Sequence, residues 1–152
     1  VFGPTEIAAE GDRDKTAHGK QYVAYAHAAI PTKEAKVAAF KSVTTDDLSN
    51  TIHSYKCRGF NENIHWELLE GFVDQYFDAI LKVWETKGYE IAETTATLTF
   101  PTWAISEATV TKAQHWLDVT GKDSSHALRR SVTEGRDAMT RALKARGVDA
   151  TR

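Results

Sequence analysis

The stretch IHWELLEGFVDQYFDAILKVW, residues 64–84, carries the strongest periodicity in the sequence. Its apolar side chains recur every three or four residues, so they fall on one broad face of a helix. These side chains are Leu69, Phe72, Val73, Tyr76, Phe77, Ile80 and Trp84. The pattern predicts one long helix, or two short helices hinged near Asp78, ending at Lys87-Gly88.

Helix signals continue towards the N-terminus. An Ala-rich run over 14–30 stops at Pro31, and Thr32 is a natural N-cap for a helix with Val37 and Phe40 facing inward. We expect another helix to start at Thr44 or Thr45. One face of this helix is defined by Leu48 and by the residues four, seven and eleven positions after it, which are Ile52, Tyr55 and Gly59.

The segment YEIAETTATLTFP, residues 89–101, alternates Thr with apolar residues, which is typical of a strand. We favour a helix because nothing else in the chain resembles a partner strand, and a lone strand leaves its backbone groups unpaired. Ser106 then caps a helix that ends near Gly121, and Asp123 or Ser124 opens the last one.

Short turns between about seven helices favour antiparallel neighbours, and the helix pairs recur on the scale of HEAT or armadillo repeats. We therefore predict an all-α fold of antiparallel helix pairs in a HEAT/armadillo-like right-handed superhelix, with a closed bundle as the alternative. The predicted organisation is an N-terminal tail or linker over 1–12, a helical domain over 13–146 and a C-terminal tail over 147–152.

The composition is that of one globular domain: 152 residues, 41% hydrophobic, with a net charge of −2. No apolar run reaches the length of a membrane span, and the N-terminus lacks the features of a signal peptide. A single cysteine, Cys57, fits a reducing compartment, so we expect a cytoplasmic protein. Because the chain begins at Val1, we expect it to be part of a longer protein.

No complete catalytic or metal-binding motif occurs in the sequence. His53 and Cys57 are four residues apart, but two ligands do not make a zinc site, and HExxH is absent. Glu62 and His65 form one ExxH element, whereas a di-iron bundle needs two such elements and two further glutamates. We therefore predict no catalytic residue and no metal ligand in this chain.

The last helix, ALRRSVTEGRDAMTRALKAR, residues 127–146, combines an apolar stripe with six Arg or Lys residues. Most of these cations are explained by Arg130–Glu134 and Asp137–Arg141 pairs and by the negative C-terminal end of the helix. Arg129 and Arg136 are left unpaired by this pattern. We predict them as contacts to a substrate channel or to another domain, and the acidic net charge argues against nucleic acid.

Several segments resemble, in order, the C-terminal helical domain of bacterial, actinobacterial-type aminopeptidase N. These enzymes are zinc metallopeptidases of the membrane alanyl aminopeptidase family. The segments are PTKEAKVAAF (31–40), LSNTIHSYKCRGF (48–60), WELLEGFVDQYFDAILKVWETKGYEIA (66–92), TFP (99–101) and the last helix (127–146).

The resemblance implies a non-catalytic domain that packs on the catalytic domain of its parent and encloses the cavity for peptide substrates. It also implies that zinc, the HExxH motif and the Gly-x-Met-Glu-Asn motif lie in that catalytic domain, outside this chain. We expect no cofactor in the chain itself, no nucleic acid and no membrane as partner, and no activity of the isolated chain. The alternative is a free-standing α-solenoid that binds a protein partner.

Overall fold

A computed structural model describes residues 3–149, and every regular element in that range is helical, which confirms the all-α prediction. The superhelical arrangement stays a prediction. The elements are α1 (Pro4–Arg13), α2 (Ala17–Ala29), α3 (Lys33–Thr45), α4 (Asn50–Phe60), a 3-10 turn (Trp66–Leu68), α5 (Phe72–Thr86), α6 (Tyr89–Leu98), α7 (Glu107–Asp118) and α8 (His126–Asp149).

The chain divides into two compact units, one up to Leu69 and one from Glu70 onward. In the first unit α2 packs against α1, α3 and, most extensively, α4. A Cβ atom at Gly59 would lie 2.2 Å from the carbonyl oxygen of Tyr25, so the close approach of α4 to α2 requires glycine.

Helix α3 presents a different face to its unit from the one that the sequence predicts. Val37 was expected to face inward, but its exposed fraction is 48%, whereas that of Lys36 is only 1%. The prediction for Phe40 is confirmed, since Phe40 is buried and its ring centroid lies 5.3 Å from that of Phe60. Residues 36, 39, 40 and 43 form the buried stripe, so the aliphatic stem of a lysine occupies a core position.

The boundary between α3 and α4 also differs from the prediction. Helix α3 continues through Thr44 and Thr45, whose hydroxyls donate to backbone carbonyls of the preceding turn, so neither residue starts the next helix. The α4 face expected to point inward is wrong in part. Gly59 is buried as expected, but Ile52 and Tyr55 are only partly buried, and the fully buried side chains of α4 are those of His53, Cys57 and Phe60.

In the second unit α8 packs against α6 and α7, and α5 packs against α6 and α7. Tyr76, Phe77 and Ile80 of the predicted apolar stripe are buried in the core of this unit. Trp84, the last residue of the stripe, is only partly buried, and Val83, which the prediction did not include, is buried instead. The predicted long helix, however, begins only at Phe72, because residues 66–68 form the separate 3-10 turn. Helix α5 runs unbroken through Asp78.

The helix predicted from the ambiguous segment at 89–101 is confirmed as α6. Its threonines satisfy their hydroxyls within the helix: Thr95 donates to the carbonyl of Ile91 at 2.8 Å, and Thr99 donates to that of Thr95 at 2.7 Å. The buried hydroxyls of these two threonines therefore need no partner strand.

The segment 1–12 predicted as a tail or linker contains α1 from Pro4, a helix with no buried residue. The segment 147–152 predicted as a tail contains the end of α8, while residues 1–2 and 150–152 lie outside the described range. None of the helices formed by the described residues is long and apolar enough to cross a membrane.

Candidate functional site

Arg129 lies on the first turn of α8 and is half-buried. Its Nη1 atom donates to the carbonyl oxygens of Leu117 at 2.6 Å, Gly121 at 2.9 Å and Lys122 at 3.2 Å. These carbonyls lie at and just beyond the C-terminal end of α7, where the helix leaves acceptors without intrahelical partners and a negative partial charge. Arg129 therefore caps α7 from α8, and it is not unpaired as its spacing predicted.

The turn between α7 and α8 is fixed by a glycine as well. The Gly121 amide donates to the carbonyl of Trp116 at 2.7 Å, and a Cβ atom at this position would lie 2.1 Å from the Trp116 indole. The indole Nε1 in turn donates to the carbonyl of Phe77 on α5 at 3.0 Å. The turn, α7 and α5 are thus held by one set of contacts.

Arg136 lies about two turns further along α8, and its side chain is 23% exposed. Its Nη2 and Nε atoms donate to Oδ1 of Asp137 at 2.7 and 3.0 Å, and its Nη1 donates to Oε1 of Gln114 on α7. The prediction that Arg136 is unpaired is therefore wrong, because Asp137 accepts from it. The predicted Arg130–Glu134 pair is confirmed at 2.8 Å.

Arg136 lines an open groove between α7 and α8, with a volume of about 650 Å³. The groove combines cationic and imidazole donors with two carboxylates and an amide. Its lining residues are Val110, Thr111, Gln114, His115, Asp118, Arg136, Asp137 and Thr140. Such a surface offers hydrogen bonds to a polar ligand or to a polar protein surface, and its guanidinium, which already pairs with Asp137, stays partly exposed.

Lys36 is the polar residue whose role the sequence analysis missed. Its Nζ atom donates to the carbonyls of Ala28 at 3.0 Å, Gly59 at 2.9 Å and Phe60 at 3.0 Å. These acceptors lie at the C-terminal ends of α2 and α4, so one ammonium caps two helices. Burial lowers the pKa of Lys36 to about 8, and the carboxylate of Glu62 opposes that shift.

The buried pair of His53 and Cys57 does not form a nucleophilic site. The Cys57 Sγ lies 3.8 Å from either ring nitrogen of His53, whose Nε2 lies 3.0 Å from the carbonyl oxygen of Val43. Burial raises the pKa of the Cys57 thiol to about 12, so the thiol stays protonated at neutral pH. Nucleophilic attack needs the thiolate, and solvent does not reach either side chain.

The Glu62–His65 element is divided between two separate contacts. Glu62 accepts a hydrogen bond from the Tyr25 hydroxyl at 2.6 Å, which raises the pKa of that tyrosine. His65 lies 3.7 Å from Glu67 on the surface. Within residues 3–149, no three His, Cys, Asp or Glu side chains are grouped to hold a metal ion.

These features define the class of the protein. It is all-α, built from packed helix hairpins, and buried or half-buried cations cap some of its helix ends. A family model described as the ERAP1-like C-terminal domain matches residues 2–141, and the chain belongs to this family. An aminopeptidase N from Streptomyces lividans is 39% identical over 150 residues. These findings confirm the family that the sequence predicted.

The match with the Streptomyces lividans protein covers 98% of this chain but only 17% of the relative. The chain thus spans about a sixth of the length of this relative.

Proposed function

We propose that this chain serves as the C-terminal domain of an aminopeptidase, packs on the catalytic domain of its parent and encloses the cavity that admits peptide substrates. The observation that carries the proposal is the similarity to an aminopeptidase N over 98% of the chain. In the proposed parent, zinc in the catalytic domain supplies the activated water for peptide hydrolysis. The helices of this chain contribute walls and an inter-domain surface.

The α7–α8 groove is the part of the surface that we assign to such a contact, with Arg136 as its anion-binding residue. Its guanidinium is oriented by Asp137 and Gln114 and stays partly exposed. Because guanidinium pairs well with a carboxylate, the groove suits the C-terminus of a peptide or an acidic side chain of the catalytic domain. Arg129 is the weaker candidate, since its Nη1 already caps α7.

A domain exchange tests the enclosing role. The matching segment of the Streptomyces lividans aminopeptidase N would be replaced by this chain, and kcat/KM measured for a dipeptide and for a long unstructured peptide. We expect the chimera to hydrolyse the dipeptide and to discriminate against the long peptide as the parent enzyme does. The control is a parent enzyme that lacks the segment, in which we expect that discrimination to be lost.

Two results would count against the proposal. One is a folded chimera that discriminates against the long peptide no better than the truncated enzyme does. The other is turnover of an aminoacyl substrate by the isolated chain in the presence of zinc, free of contaminating peptidase. Stable capture of an unrelated protein by the isolated chain, with an inactive chimera, would favour the free-standing α-solenoid.

We propose that this protein resides in the cytoplasm, which is a reducing compartment. Support comes from Cys57, a free and fully buried thiol that belongs to no disulfide. We propose no cofactor for the chain itself, in keeping with the missing HExxH motif.

A further inference from the structure

A second groove lies in the first unit, between α1 and α2, with a volume of about 560 Å³. Its floor is apolar and its edge is acidic. The lining residues are Glu6, Ile7, Glu10, Asp14, Gly19, Tyr22, Val23 and Ala26. Helix α1, which forms one wall, buries none of its own residues, so its inner face is accessible to a partner.

The carboxylates of the groove carry negative charge at neutral pH. Backbone hydrogen bonds, among them one from the Gly3 amide at 2.8 Å, hold the pKa of Glu6 below its ordinary value. The Thr16 hydroxyl and amide do the same for Asp14. Glu10 contacts Arg13 at 3.3 Å, but both side chains are largely exposed, so this pair is weak and easily exchanged for another cation.

An aromatic ring stands beside these carboxylates. Tyr22 is 62% exposed and packs edge-on against Tyr55, with 5.7 Å between ring centroids. The other ring of this pair already lies near a cation, because the Arg58 Cζ lies 5.9 Å from the Tyr55 centroid. Tyr22, the more exposed ring, lines the groove and can contact a cation there.

We propose that the groove binds a basic peptide segment in which Lys or Arg alternates with an apolar residue. The aliphatic stem of the basic side chain lies on Tyr22 and Val23, and its charge meets Glu6 and Glu10. The apolar neighbours cover Ile7 and Ala26. Charge complementarity selects this occupant, since an acidic peptide or a nucleic acid is repelled by the same carboxylates. The proposal does not depend on the aminopeptidase assignment.

Fluorescence anisotropy with the labelled peptide acetyl-Gly-Leu-Lys-Leu-Arg-Leu-Gly-amide tests this inference on the 152-residue chain. We expect saturable binding that weakens when NaCl rises from about 20 to about 200 mM, because the added salt screens exposed charges. Replacing both basic residues by Glu, or the three leucines by Ser, should abolish it.

Variants locate the binding site. The double change Glu6→Gln and Glu10→Gln should weaken binding roughly ten-fold, whereas Arg13→Gln should tighten it about three-fold by releasing Glu10. Asp78→Asn with Glu85→Gln removes the same charge from exposed positions of α5 and is the matched control. It should change the dissociation constant less than about two-fold.

The helix content of each variant is checked by circular dichroism, and Gln at position 6 keeps an acceptor for the Gly3 amide. If the double variant loses helix α1, the site is tested instead by the effects of Tyr22→Ser on α2 and of Arg13→Gln on peptide binding. The inference is overturned by absence of binding to the labelled peptide at about 1 mM protein, a concentration that detects even weak complexes. It is also overturned by equal binding of the acidic peptide, or by equal losses in the double variant and in the α5 control.

Discussion

The ammonium of Lys36 and the carbonyl oxygen of Gly59 lie 2.9 Å apart in the interior of the first unit. This contact joins α3 to the C-terminal end of α4, and the same ammonium joins α3 to the end of α2 through Ala28. One side chain thus donates to carbonyls at the ends of two helices, where intrahelical donors run out.

Replacing Lys36 by Met should lower the free energy of unfolding by roughly 2–4 kcal/mol, because it removes a charged donor from three buried carbonyls while keeping the volume of the side chain. Urea unfolding followed by circular dichroism measures the change. The matched control is Lys33→Met on the same helix, where the side chain is exposed and little change is expected. Equal effects of the two substitutions would show that the cap contributes nothing specific.

Lys36 also predicts a particular pH dependence. Its pKa is lowered from 10.5 to about 8 in the folded chain, mainly by burial. Between these two values the unfolded chain binds more protons than the folded chain, so the free energy of unfolding should rise with pH relative to that of the Lys36→Met variant. The slope is at most about 1.4 kcal/mol per pH unit. It is about half its maximum at the folded pKa of about 8 and vanishes well below that pH.

Urea unfolding of both proteins between pH 7 and pH 10.5 provides the test. A fall instead of a rise would mean that the three carbonyls stabilise the ammonium more than burial disfavours it. The neutral amine has only two N–H groups for the three carbonyl acceptors, so deprotonation of Lys36 would remove one donor. A fall in the free energy of unfolding with pH would reflect that loss, whereas the expected rise reflects burial of the charge.

Helix positions could be predicted from the sequence because apolar periodicity depends only on neighbours along the chain, as in the stripe of α5. The caps could not. Lys36 and Arg129 act on carbonyls that belong to other helices, and the geometry of those helix ends exists only after packing. One signal was present: Lys36 interrupts an otherwise apolar series with Ala39, Phe40 and Val43. Arg129 and Arg136 were identified as unusual, but their partners are backbone oxygens and a sequence neighbour, which an i,i+4 rule overlooks.

Arg129 should stabilise the second unit by capping α7. The substitution Arg129→Met removes a charged donor from three carbonyls, and we expect a loss of about 1–2 kcal/mol in the free energy of unfolding. Arg130→Met is the control, since the adjacent Arg130 is exposed and pairs with Glu134 at the surface, where an ion pair contributes little to stability. A larger loss at Arg130 than at Arg129 would contradict the capping role.

Two glycines on α8 should respond to alanine in opposite directions. A Cβ atom at Gly135 would lie 2.6 Å from the ring of Phe100, whereas nothing lies within 4 Å of one at Gly147. Gly135→Ala therefore forces a buried aromatic ring to move and should cost about 1–3 kcal/mol. Gly147→Ala meets no obstacle, so it should be neutral or stabilise by up to about 1 kcal/mol through helix propensity. Thermal unfolding of both variants distinguishes steric crowding at Phe100 from a general destabilisation of α8 by alanine.

Arg136 provides a functional test within the domain-exchange chimera. If its guanidinium receives the carboxylate of a peptide substrate, Arg136→Gln should raise KM for a peptide with a free C-terminus about 5- to 30-fold. The same peptide with an amidated C-terminus has no charge to lose, so its KM should not respond. Arg141→Gln, an exposed cation on the same helix, controls for the general effect of charge. Because Arg136 also contacts Gln114 and Asp137, a purely structural role would affect both peptides alike and lower the unfolding temperature, and that result would remove Arg136 from the proposed site.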